Sequence, residues 1–146
     1  MRAKSRVIGY WVTTGLFAAV FLAGGLAELA AAPATVEATR ALGYPDYVIR
    51  ILGFWKVLAV PAVLAPRLPR LKEWAYAGAF FDLTGAAVSH ASSGDPAAKI
   101  VTPLVLLALA AASWALRPHS RTWRAETTST KGEGSVVRIE DAPASV

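Results

Sequence analysis

Four long apolar runs, separated by short polar or basic breaks, leave this chain few ways to fold. They lie at about residues 7–31, 47–65, 71–91 and 97–116. A helix needs about 20 apolar residues to cross the hydrocarbon layer of a bilayer. Within that layer each backbone N–H and C=O must find its partner inside the protein, which favours helices for runs of this length. The whole chain points the same way. Of its 146 residues 55% are hydrophobic and 17% charged, against about a quarter charged in an ordinary soluble domain. The expected fold class is therefore all-α, a transmembrane antiparallel four-helix bundle, in preference to a soluble domain with buried helices.

The first run opens with Arg2, Lys4 and Arg6 and ends near the small-residue stretch LAAAPA, features that also suit a cleavable signal peptide. The run is longer than the usual signal core of about 7–15 residues, and Pro33 crowds the cleavage point, so an uncleaved helix is expected. Residues 32–46 read as a polar connector ending in the turn Gly43-Tyr44-Pro45. Pro61 should bend the second span. Ser92-Ser93-Gly94-Asp95-Pro96 reads as a turn before the fourth.

Basic residues set the expected orientation. Arg2, Lys4 and Arg6 precede the first span; Arg67, Arg70 and Lys72 join the second to the third; Arg117, Arg121 and Arg124 follow the fourth. The other connectors hold only Arg40 and Lys99, with Arg50 near the rim. The positive-inside rule then places both termini and the middle turn in the cytoplasm. This distribution also accounts for the net charge of +5 without a nucleic-acid partner. Residues 1–116 form the membrane domain. Residues 117–146 form a tail, basic at first and then lacking apolar periodicity, for which disorder is expected.

Ionisable residues inside apolar runs are costly and mark function or helix locking. Lys56 lies ten residues before Pro66, and Asp82 eleven after Leu71. At a rise of about 1.5 Å per residue, a hairpin folded at the basic turn sets both at one depth. Glu28, His90 and Arg50 are expected nearer the outer end, with Ser89 beside His90. The candidate polar interior is thus Lys56, Asp82, His90, Glu28, Ser89 and Arg50. On the third helix Ala75, Gly78, Gly85, Ala86, Ser89 and His90 share the side of Asp82, a small-residue stripe expected to pack inward, with Tyr76 and Leu83 elsewhere. A Lys–Asp pair can equally serve only to lock two helices. Glu28, His90 and Asp95 lack a recognisable metal-ligand spacing, so no metal is expected. No nucleophile–base triad or phosphate loop occurs, so no catalytic residue is assigned. The chain has no cysteine, which removes thiol chemistry from it.

From Gly43-Tyr44-Pro45 through Gly53-Phe54-Trp55-Lys56 to Asp95, and above all in LKEWAYAG…FDLTGA…SH, the chain resembles the DoxX-like family. The likeness extends more loosely over the four runs and excludes the tail. It implies a four-span protein of the bacterial inner (plasma) membrane. The family takes its name from a subunit associated with a thiosulfate:quinone oxidoreductase, and most members have no assigned biochemistry. The motif positions are Lys56, Lys72, Glu73, Asp82, Ser89 and His90, with no catalytic role to transfer to them. Three functions follow as expectations. The first is an accessory or ligand-binding component of a redox-linked membrane system, not an enzyme by itself. The second is a subunit of a quinone-linked oxidoreductase, with Lys56, Asp82 and His90 passing protons near a quinone. The third is a small proton-coupled transporter, for which four helices leave little room. Partners would be the lipid bilayer, membrane redox proteins or a second copy of the chain.

Overall fold

The computed structural model describes residues 3–118. Five helices occur among them: α1 (Ala3–Leu29), α2 (Pro33–Ala41), α3 (Asp46–Leu64), α4 (Pro69–Ser92) and α5 (Ala97–Ala115). There is no strand among the described residues. Helix α1 packs on α3 and α5, and α4 packs on the same two from the other side; α2 leans on α1 and α3. Three helices, Lys4–Leu29, Asp46–Leu64 and Ala97–Ala115, are long and apolar enough to cross a membrane. Helix α4 is not among them, because Arg70, Lys72, Glu73, Asp82 and His90 dilute its apolar character.

The basic segments meet at one end. Arg6 Nη2 donates to the carbonyls of Ala115 and Arg117 at 3.4 Å, joining the start of α1 to the end of α5. Arg117 Nη2 donates to Glu73 Oε1 at 2.7 Å, joining that end to the start of α4. Lys72 is buried and donates to the Val63 carbonyl, one residue before the last of α3. A cation there satisfies a carbonyl that the helix leaves open and meets the negative end of its dipole. The core between the helices consists of Phe17, Phe21, Val60, Val63, Tyr76, Ala79 and Leu83, with Ala110 from α5. Phe17 stacks on Phe21 with ring centroids 4.9 Å apart. Ile8, Val12, Phe54, Phe81, Val88 and Val105 face outward, the arrangement for helices that meet lipid.

Two expectations need correction. The polar connector contains a helix, α2, over nine of its residues. None of them is buried, so no apolar stripe announces it. Its signals are terminal: Pro33 in the first turn, Arg40 in the last, and Gly43 after the end. Gly43 takes φ 84°, and the bonds Gly43 N–H to Arg40 O and Tyr44 N–H to Thr39 O close a Schellman cap. Gly94 closes α4 in the same way, at φ 69°. The second correction concerns α4. Its buried face is Lys72, Tyr76, Ala79, Leu83 and Ala87, and the small-residue stripe through Gly78 and Gly85 lies beside that face, with both glycines exposed. Large side chains fill the centre better than the stripe could, and the stripe leaves an opening. The tail assigned to disorder, apart from Arg117 and Pro118, lies outside the described residues.

Helices α1 and α3 approach closely at Gly25 and Gly53, where small residues let the backbones touch. A Cβ added at Gly53 would sit 2.4 Å from Leu29 N and 2.7 Å from Gly25 O. Both are backbone atoms and cannot swing aside. Gly53→Ala should therefore force the helices apart and destabilise the protein by about 1–3 kcal/mol or more. Gly24→Ala, with nothing within 4 Å of the new Cβ, should leave stability unchanged or raise it. Unfolding midpoints in mild detergent read both, and equal midpoints for the two variants would rule this seam out.

Candidate functional site

The crossing of α1 and α3 sets up the site. Glu28 follows Gly25 by three residues and Lys56 follows Gly53 by three, so the close glycine contact delivers the two charges to each other. Lys56 Nζ donates to Glu28 Oε1 at 2.5 Å. On its other side it lies 3.5 Å from Asp82 Oδ2 of α4, an ion pair without hydrogen-bond geometry. The three side chains are 15–17% exposed. The Phe21 ring centre is 5.8 Å from the ammonium, in cation–π range. One ammonium thus faces two carboxylates in apolar surroundings. Glu28 Oε2 and Asp82 Oδ2 are buried without a hydrogen-bond partner. Removing one member of a buried charge group commonly costs about 3–5 kcal/mol, because the remainder stays uncompensated.

Glu28 is therefore the nearer partner of Lys56, which the spacing along the sequence paired with Asp82 alone. The flexible lysine stem reaches past its own level. His90 and Ser89 do not join this group. Asp95 Oδ2 accepts from His90 Nδ1 at 2.7 Å and Asp95 Oδ1 from Lys99 Nζ at 2.9 Å, which ties the end of α4 to the start of α5. Ser89 Oγ and the Tyr44 hydroxyl share a hydrogen bond of 2.8 Å. Arg50 is exposed on α3 and lies outside the polar interior expected of it. Among the described residues no group of three or more His, Cys, Asp or Glu could hold a metal ion.

Between α3 and α4 a cleft of about 520 Å³ opens beside the charges. Lys56 and Asp82 stand in its wall with Phe21, Ala59, Ala75 and Gly78, and Trp55, Trp74 and Phe81 flank it. The small side chains of the α4 stripe create this space. Trp74 and Phe81 are 80% and 70% exposed, so the cleft faces the surroundings of the helices. An amphiphile could enter sideways, lay an apolar body along the aromatic wall and bring a polar head to the charges.

A second polar group, between the first half of α1, the start of α4 and the end of α5, escaped sequence reasoning. Ser113 Oγ shares hydrogen bonds with Thr14 Oγ1 at 2.6 Å and with the Tyr76 hydroxyl at 2.7 Å, linking α5 to α1 and α4. Arg117, 3% exposed at its side chain, lies over the Tyr76 ring at 5.2 Å and the Trp114 ring at 5.3 Å. Glu73 Oε2 accepts from Trp114 Nε1 at 2.9 Å. Hydroxyls in apolar runs give no sequence signal of their own, and Tyr76 was read as facing away from the centre.

Residues 12–113 match the DoxX-like family. The chain belongs to that family. Its apolar helices make it a membrane protein of the DoxX-like type. Neither curated proteins nor solved structures gave a match. The family motif positions now have separate places. Lys56 and Asp82 stand in the cleft wall, Lys72 and Glu73 tie the start of α4 to the ends of α3 and α5, and Ser89 and His90 secure the opposite end of α4.

The Asp95 contacts of this DoxX-like protein are testable by pH. Hydrogen bonds from Lys99 and then from His90 hold its carboxyl below the usual 3.8. A carboxylate with a lowered folded pKa stabilises the fold above its unfolded pKa, and that gain is lost as pH falls through the folded value. The difference in unfolding midpoint between wild type and Asp95→Asn should be constant down to about pH 5 and shrink below about pH 4. A difference that stays constant to the acid limit would contradict this assignment.

Proposed function

We propose that this DoxX-like protein is an accessory component of a redox-linked system in the bacterial inner membrane, and that it binds a lipophilic small molecule in the cleft between α3 and α4. The supporting observation is the cleft itself, apolar and laterally open, with Lys56 and Asp82 in its wall. Its surroundings are compatible with lipid. Helix α4 packs between α3 and α5, both apolar enough to cross a membrane. At about 1.5 Å per residue its 24 residues are long enough to accompany them as a fourth span. The clustering of Arg6, Lys72 and Arg117 at one end supports a cytoplasmic location for both termini and the α3–α4 turn. In this reading the four long helices form an antiparallel transmembrane bundle.

A quinone–quinol pair is one lipophile of suitable size and polarity, which would make the protein a subunit beside a quinone-linked oxidoreductase. Transport is less well supported. The Glu28–Lys56–Asp82 group and the Thr14–Ser113–Tyr76 group are separated by the apolar layer of Phe17, Phe21, Val60 and Val63. A proton or solute path would have to cross that layer.

Gly78 offers a clean test. It lines the cleft, and a Cβ there meets nothing within 4 Å, so Gly78→Leu should fill the opening without strain. Native mass spectrometry of wild type extracted in mild detergent should show a retained lipophile. Gly78→Leu should lose it, at least tenfold in occupancy, with an unchanged unfolding midpoint. A wild type that carries no lipophile, or a variant that retains it fully, would remove the basis for this function.

A further inference from the structure

The charge group beside the cleft is unbalanced in a way that selects the head of a ligand. Lys56 brings one positive charge, and its shorter contact is the hydrogen bond to Glu28 at 2.5 Å. Asp82 receives only the looser approach of 3.5 Å, and its Oδ2 has no hydrogen-bond partner. Asp82 also stands in the cleft wall, whereas Glu28 does not. The carboxylate that a ligand would meet is thus the one that accepts no hydrogen bond from Lys56. The side chains beside it, Phe21, Ala59, Ala75 and Gly78, carry no donor, and the indole N–H groups of Trp55 and Trp74 belong to the flanks of the cleft. A metal ion would find only carboxylates that already share an ammonium, and no three-residue ligand group exists among the described residues.

An ionised carboxylate in apolar surroundings is stabilised by hydrogen bonds donated to it, and bonds to an ionised acceptor are roughly twice as strong as neutral ones. An ether, ester or ketone brings only lone pairs and would add to the surplus of acceptors. We propose that the cleft selects lipophiles whose head donates a hydrogen bond to Asp82, an alcohol or a phenol, over acceptor-only heads of the same shape. The inference rests on the cleft-binding function proposed above. It adds the polarity of the ligand, which the cleft volume alone does not define. Lys56 has the role of a positioning residue, since its ammonium lies against Asp82 and Glu28 and holds the carboxylate at the wall.

The test compares 1-dodecanol with dodecyl methyl ether, two probes that differ chiefly in the O–H. The protein is placed in nanodiscs, and binding is followed by the fluorescence of Trp55 and Trp74, which line the cleft. Affinities are corrected for partition of each probe into empty discs. Wild type should bind the alcohol about tenfold more tightly than the ether, the range of one charge-assisted hydrogen bond. Asp82→Asn should bring the alcohol close to the ether and leave the ether unchanged. Gly78→Leu should weaken both. Equal binding of the two probes by wild type, or tighter binding of the ether, would overturn the donor rule while leaving cleft binding intact. Binding of neither probe would overturn both readings. The wild-type comparison decides the question even if Asp82→Asn does not fold.

Discussion

The ammonium of Lys56, held between a carboxylate of α1 and one of α4, is the contact on which the rest of this structure depends. Lipid chains are as apolar as leucine, so helices in a bilayer gain little from burying apolar surface against each other. Close backbone packing and polar contacts must supply the association. Helix α3 supplies both within one turn. Gly53 admits the backbone of α1, and Lys56 then reaches Glu28 on α1 and Asp82 on α4. Helices α1 and α4 pack mainly on α3 and α5, so the lysine adds a charged tie to the Phe17–Tyr76 stacking that joins them across the core.

The two polar layers differ in balance. At the start of α4 and the end of α5, Arg117 meets Glu73, Lys72 caps α3, and Ser113 joins Thr14 to Tyr76. Each cation and hydroxyl there has at least one acceptor, although Arg117 Nη1 is buried without one, and the layer is suited to holding helix ends together. The other layer has more carboxylate than ammonium and borders the cleft. Such an excess is costly where water is scarce, and it is tolerable where a ligand or a proton can answer it. The same stripe of small residues that fails to pack α4 inward provides the room. Weak packing and surplus charge therefore occur at one place, and that coincidence supports a binding site more than either feature would alone.

Much of this was legible in the order of residue types. The length and spacing of the apolar runs foretold the long helices, and the family likeness was visible in LKEWAYAG…FDLTGA…SH. Lys56 and Asp82 were identifiable because a charge within an apolar run is conspicuous. Glu28 was recognised, but its distance from Lys56 was not, since the depth of a side chain depends on where two helices cross. That crossing is set by Gly25 and Gly53, whose pairing is a tertiary fact. Helix α2 was hidden because it buries nothing. Tyr76 is hard to place from sequence because small residues commonly mark the packed face of a membrane helix, whereas on α4 they border an opening. Ser113 and Thr14 look like neutral members of apolar helices until their contact is seen.

The central claim is that a charged Lys56 is shared by Glu28 and Asp82. Solid-state nuclear magnetic resonance of the protein in bilayers, with 15N-lysine and 13C-labelled carboxylates, measures it directly. The Lys56 Nζ resonance should have the shift of an ammonium, with strong through-space transfer to the Glu28 side-chain carboxyl and weaker transfer to that of Asp82. A neutral amine, or an ammonium with transfer to neither carboxyl, would contradict the account.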